Sequence, residues 1–127
     1  MEIKLVGVVG AGQMGNGIAH VFALAGYDVL ITDISEESLA KALATVERNI
    51  ERQVARGKVL PADKRAALER IKTTLKLADL GQCDLIIEAA TERETVKQAI
   101  FEDLLPHLKP TTILTSNTSS ISITRLA

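Results

Sequence analysis

The first thirty-three residues leave this chain few ways to fold. Ile3-Lys4-Leu5-Val6-Gly7-Val8-Val9 is almost wholly apolar, as a strand covered on both faces must be. Gly10-Ala11-Gly12-Gln13-Met14-Gly15 follows as a turn. Ile18, Ala19, Val21, Phe22 and Leu24 then mark a helix that Gly26 ends. Asp28-Val29-Leu30-Ile31-Thr32 reads as a second strand, with Asp33 at its carboxyl end. The implied unit is strand, glycine turn, helix, strand.

Three glycines at GxGxxG spacing are weak evidence alone, but this context is the one their mechanics require. Gly10 permits the sharp turn, and Gly12 lets the backbone approach a pyrophosphate. Gly15 permits close packing of helix on strand, and the helix N-terminus offers free N–H groups with a partial positive charge. The unit is therefore a Rossmann-type dinucleotide site, although a glycine turn holding no ligand has the same letters. Asp33 lies eighteen residues after Gly15, where an acid can accept hydrogen bonds from the adenosine ribose. It would repel a 2′-phosphate, and Ile34 and Ser35 supply no cation to hold one. NAD(H) is the expected cofactor. FAD and nucleotide-sugar proteins share the turn, and Asp33 could also be a plain turn residue.

Strand-like and helix-like segments alternate along the rest of the chain, which predicts one α/β domain with a doubly wound, mainly parallel sheet. Ser35 is a candidate N-cap for a helix carrying Leu39, Leu43, Val46, Ile50 and Val54 on one face. Gly57 ends that helix, and Pro61 suits the first turn of another, through Ala62 to about Glu69. The thirty-seven residues between Asp33 and Ile71 thus form a helical-hairpin insertion, where a plain unit holds one helix. Ile71 to Leu77 reads as a strand, Asp84 to Glu88 as another, Glu94 to about Lys109 as a helix with Pro106 in its last turn, and Thr112 to Thr115 as a final strand. Ser122 could cap one more helix.

Only 2% of residues are aromatic, so Ala, Val, Ile and Leu must pack the core. A formal net charge of -1 gives no global attraction to nucleic acid or to an anionic membrane. Cys83 is the single cysteine, expected as a small buried hydrophobe, and no Cys/His cluster suggests a metal. The N-terminus lacks signal-peptide features and no apolar run approaches a bilayer span, so the expected compartment is the cytoplasm. Arg48, Arg52 and Arg56 recur every fourth residue with Lys58 just beyond, a stripe that suits a ligand with several phosphates. The plainer alternative is a solvated face balanced by Glu47 and Glu51. His20 and His107 read as structural or surface residues, and Glu88 as a strand-end structural acid.

Taken together, Val6 to Asp33, the helical hairpin, DLIIEAATERETVKQAIF (Asp84 to Phe101) and ILTSNTSSISIT (Ile113 to Thr124) resemble the 3-hydroxyacyl-CoA dehydrogenase family, in particular its bacterial 3-hydroxybutyryl-CoA branch. The resemblance runs over essentially the whole chain and implies its roles residue by residue. Gly10, Gly12, Gln13, Met14 and Gly15 would line the pyrophosphate and Asp33 the adenosine ribose. Glu92 and Lys97 would stand near the nicotinamide half. Ser119 would meet the nicotinamide side and the substrate hydroxyl, with Asn117 beside it. Asn49 and Arg56 match positions that face coenzyme A in relatives, which adds weight to Arg52 and Arg56 as a CoA contact. The family's base, a His paired with a Glu, belongs to motifs downstream of those found here. Its all-helical C-terminal domain, which completes the substrate site and the dimer, has no counterpart in these residues either. The resemblance thus implies an N-terminal NAD(H)-binding domain, expected to bind NADH alone without useful turnover. A related hydroxy-acid or sugar-acid dehydrogenase, or a non-catalytic NAD-binding module, would share much of the pattern.

Overall fold

The computed structural model describes residues 3–90 and 94–116, the side chain of residue 94 excepted. Among these residues five strands and four α-helices follow in order: β1 (Leu5–Val9), α1 (Gln13–Leu24), β2 (Asp28–Thr32), α2 (Glu36–Ala55), α3 (Pro61–Arg70), β3 (Ile71–Thr74), β4 (Leu85–Glu88), α4 (Glu94–Leu104) and β5 (Ile113–Ser116). The five strands form one sheet in the order β3-β2-β1-β4-β5, and every neighbouring pair is parallel. The chain steps outward from β1 to β2 and β3, then returns across β1 to β4. Ligands of open parallel sheets sit at such a reversal, outside the strands' carboxyl ends.

Two apolar layers cover the sheet. On one face Ala19, Ala23, Leu39, Val46, Ile50 and Ala67 from α1, α2 and α3 close over Val6, Val8, Val29 and Ile31. On the other, Leu80, Cys83, Ile86, Leu104 and Leu114 pack with Val9. Alanine at the helix positions facing the sheet lets the backbones approach closely. The hairpin insertion is present as expected, and Arg70 ties it to α1 by donating to the Ala23 carbonyl at 2.8 Å. Ser35 caps α2 through its hydroxyl, which accepts from the Ser38 N–H at 3.2 Å, a contact worth about 1 kcal/mol.

Some boundaries differ from the sequence expectation. The helix beginning at Glu94 stops at Leu104, and Leu105–His107 forms a 3₁₀ turn in place of a last α-helical turn. Pro106 has no N–H to donate, and its ring would clash with the carbonyl four residues earlier. The strand expected to run to Leu77 ends at Thr74, because Leu77–Gln82 turns into a 3₁₀ segment that buries Leu80. The cap expected at Ser122 lies outside the described residues.

The opposite end of the sheet from the glycine turn is clamped by Asp84. Its carboxylate accepts from the N–H groups of Lys4 (2.9 Å) and Leu5 (3.0 Å) and from Lys109 Nζ (2.6 Å). The Lys109 ammonium, followed by those two backbone donors, holds the carboxyl well below the usual carboxylate range. Cys83 beside it is fully buried, as expected. Burial, and secondarily the charge on Asp84, pushes its thiol up to about 12.

Candidate dinucleotide site

The glycine turn joins the carboxyl end of β1 to α1, at the centre of the sheet. Gly10 adopts φ 107°, a conformation that glycine takes without steric cost. A Cβ there would also lie 2.6 Å from Ala90 Cα, so the turn packs directly on the loop after β4. Gly15 faces the turn itself, and a Cβ would sit 1.8 Å from the Gly10 carbonyl oxygen. Gly12 is different. A Cβ there would meet nothing within 4 Å, so its side is open space at the exposed mouth of the turn.

Gly12 is also the N-cap of α1, with no side-chain cap and no acid in the first turn. The first N–H groups of a helix have no intrahelical acceptor, so this end presents uncompensated donors beside an open face. A pyrophosphate fits both features, which carry the positive end of the helix dipole and room for close approach.

Asp33 holds this arrangement in place. Its Oδ2 accepts from the Ala11 N–H at 2.9 Å and its Oδ1 from the Ser35 N–H at 3.3 Å. The Gly10 N–H donates to the Thr32 carbonyl at 2.8 Å, a second tie between the turn and the end of β2. The carboxylate therefore serves as the turn residue foreseen among the alternatives. Each oxygen retains acceptor capacity, and Asp33 lines a cleft of about 590 Å³ with Gly10, Thr32, Leu75, Ile100 and His107. A ribose and base fit this side. A second cleft, of about 650 Å³, opens on the β4–β5 side between Gln13, Met14, Ile87, Thr115 and Ser116. The glycine turn thus stands between two clefts, the layout a dinucleotide requires.

On the β4–β5 side lies a polar cluster that the sequence reading did not assemble. Glu88, the last residue of β4, is wholly buried, and Lys97 on α4 is 8% exposed. Lys97 Nζ is 3.3 Å from Glu88 Oε1 and donates to Ser116 Oγ at 2.8 Å. The Ser116 hydroxyl donates to Glu88 Oε1 at 3.0 Å, and Glu88 Oε2 accepts from the Ala90 N–H at 2.7 Å. Lys97 is thus buried and paired, as few lysines are. The signal was available, because Lys97 shares the spacing of Ile100 and Leu104, the inward face of α4. Glu92, Asn117 and Ser119, expected at this end, lie outside the described residues.

The remaining candidates sit apart. Arg48 and Arg52 on α2 and Arg56 at its C-cap are all exposed, and Asn49 is half-buried. Among the described residues no carboxylate lies within 4.0 Å of the three guanidiniums. Glu51, expected to balance them, instead pairs with Lys64 on α3. His20 Nε2 shares a 2.8 Å hydrogen bond with Gln53 Oε1, joining α1 to α2 as a structural residue should. No group of acids, histidines or Cys83 among the described residues could hold a metal.

Residues 5–127 match the family described as 3-hydroxyacyl-CoA dehydrogenase, NAD binding domain. The chain belongs to that family. A 3-hydroxybutyryl-CoA dehydrogenase of Bradyrhizobium diazoefficiens is 56% identical over 98% of this chain and 43% of its own length. A 3-hydroxyadipyl-CoA dehydrogenase of Escherichia coli is 42% identical over 100% of this chain and 27% of its own. Among solved structures, an (S)-3-hydroxybutyryl-CoA dehydrogenase from Ralstonia eutropha superposes with a TM-score of 0.91 at 44% identity, covering 98% of this chain and 44% of that one. This chain thus spans less than half the length of these relatives. NAD is the cofactor of the family's domain, and the turn, Asp33 and the paired clefts fit it. No helix among the described residues is long and apolar enough to cross a membrane.

Proposed function

We propose that this chain is the cofactor-binding part of a cytoplasmic enzyme that interconverts (3S)-3-hydroxyacyl-CoA, in particular 3-hydroxybutyryl-CoA, and 3-ketoacyl-CoA. The observation that carries the reading is the open side of Gly12 at an uncapped helix N-terminus, in a turn whose Ala11 N–H donates to Asp33. Bound NAD supplies the hydride acceptor, and NADH the donor, at the nicotinamide ring. Every other contribution falls to the protein. Gly10, Gly12, Gln13, Met14 and Gly15 form the pyrophosphate cradle, and Asp33 accepts from the adenosine ribose. Lys97 and Glu92 serve the nicotinamide half, while Ser119, with Asn117 beside it, orients the substrate hydroxyl.

A base must move the hydroxyl proton. His20 is engaged by Gln53, and His107 lines the cleft on the Asp33 side. Neither stands at the β4–β5 end, which favours the His–Glu pair of the family's C-terminal domain, through which the enzyme would dimerise. Arg52 and Arg56, unpaired with any carboxylate among the described residues, grip the phosphates of CoA, with Asn49 beside them. The test is NADH oxidation by the full-length enzyme with acetoacetyl-CoA, in the native protein and with both arginines reversed to Glu. Turnover with a raised KM for acyl-CoA in the variant, at unchanged NADH affinity, is expected. Absence of turnover in the native enzyme refutes the reaction, and an unchanged KM at low ionic strength refutes the CoA grip.

A further inference from the structure

We infer that Glu88 is a positioning residue for the nicotinamide half of the cofactor, acting through Lys97 and Ser116; this rests on the cofactor reading above. The strand order supplies the frame. Asp33 lies beyond β2, the glycine turn beyond β1, and Glu88 and Ser116 end β4 and β5. A dinucleotide with its adenosine ribose at Asp33 and its pyrophosphate at Gly12 must lay its other half on the β4–β5 side. Ser116 lines the cleft there.

A wholly buried carboxylate is costly to keep, and packing alone does not call for one at the end of an apolar strand. Glu88 spends its two oxygens differently. Oε2 fixes the Ala90 N–H, in the loop that abuts Gly10. Oε1 meets both Lys97 Nζ and Ser116 Oγ, closing a three-membered ring of contacts at 2.8 to 3.3 Å. That ring draws a long, flexible lysine into one conformation at the carboxyl ends of β4 and β5. It also sets the Ser116 hydroxyl, which donates to Glu88 and accepts from Lys97. Glu88 itself is wholly buried and lines neither cleft, so its effect on the cofactor passes through neighbours such as these.

The inference separates the two halves of the ligand, and the experiment uses that separation. ADP reports the half at Asp33 and Gly12, whereas NADH reports both. Glu88→Gln keeps one oxygen for the Ala90 N–H and removes the carboxylate that Lys97 meets at 3.3 Å. NADH affinity should fall about tenfold, the loss of one charge-assisted contact, while ADP affinity stays within about twofold. The enhanced fluorescence of bound NADH should fall with it. Lys97→Gln alone should weaken NADH comparably, and the Glu88→Gln/Lys97→Gln pair, which removes both charges of the contact, should be no weaker than Lys97→Gln. Equal weakening of ADP and NADH would make Glu88 a general support of the fold and overturn the inference. Unchanged NADH affinity, or additive losses in the double variant, would overturn it too. If the native protein binds neither ligand, the cofactor reading itself falls.

Discussion

Replacing Gly12 or Gly15 with alanine adds the same single methyl group to two positions that the structure makes opposites. At Gly12 the new Cβ has no neighbour within 4 Å, and the backbone there, φ -70° and ψ -169°, suits any residue. Loss of glycine's freedom in the unfolded chain favours folding by about 0.4–1 kcal/mol. Alanine is a poorer N-cap by a comparable amount, so the melting temperature should move by only a few degrees. The methyl does occupy the space a pyrophosphate needs, and pushing the phosphates outward breaks hydrogen bonds to the helix N–H groups. Each such bond to a charged group contributes about 1.5–3 kcal/mol, so losing one weakens NADH binding by about 10- to 150-fold. At Gly15 the methyl would stand 1.8 Å from the Gly10 carbonyl oxygen, and backbone must move. The cost falls at the upper end for overpacking, about 3 kcal/mol, or about 10 °C in Tm. Thermal melts and NADH titrations of both variants give the comparison. A stable Gly12→Ala protein that binds NADH like the native one would refute the placement of the pyrophosphate.

Asp84 and Cys83 yield two further expectations. The folded Asp84 carboxyl is held below its unfolded value, so its stabilisation is full above about pH 4 and lost as pH falls from there. Asp84→Asn should therefore lower Tm clearly at pH 7 and progressively less toward pH 3, in melts at matched ionic strength; a gap independent of pH would contradict the assignment. Cys83, buried with its thiol at about 12, should resist a disulfide reagent at pH 8 in the folded protein and react at once in denaturant. Fast labelling of the native state would mean that the layer around Leu80 and Leu104 opens readily.

The parts of this protein that were legible in its sequence are those with local causes. Gly10 to Gly15 between an apolar strand and a helix, Ser35 as a cap and Pro61 as a helix start each act through neighbours in the chain, and each is found where expected. The parallel sheet followed from near-continuous apolar strands alternating with helices. What escaped depends on distance across the fold. Glu88, Lys97 and Ser116 are brought together only by the β4–β5 pairing and the packing of α4. The pairing of Glu51 with Lys64, which leaves the arginine stripe without it, depends on how α3 folds back against α2. The early end of α4 at Leu104 has a local cause in Pro106, which can neither donate an N–H nor fit against the carbonyl four residues earlier.

The central claim is that Asp33 and the glycine turn select NAD(H), and calorimetric titration with NADH and NADPH tests it most directly. The native protein should bind NADH and hold NADPH at least about tenfold more weakly, because a carboxylate at the end of β2 would repel a 2′-phosphate on the ribose proposed to sit there. Asp33→Asn, which keeps one oxygen for the Ala11 N–H but sheds the charge, should narrow that gap. Equal affinity of the native protein for the two cofactors would contradict the account.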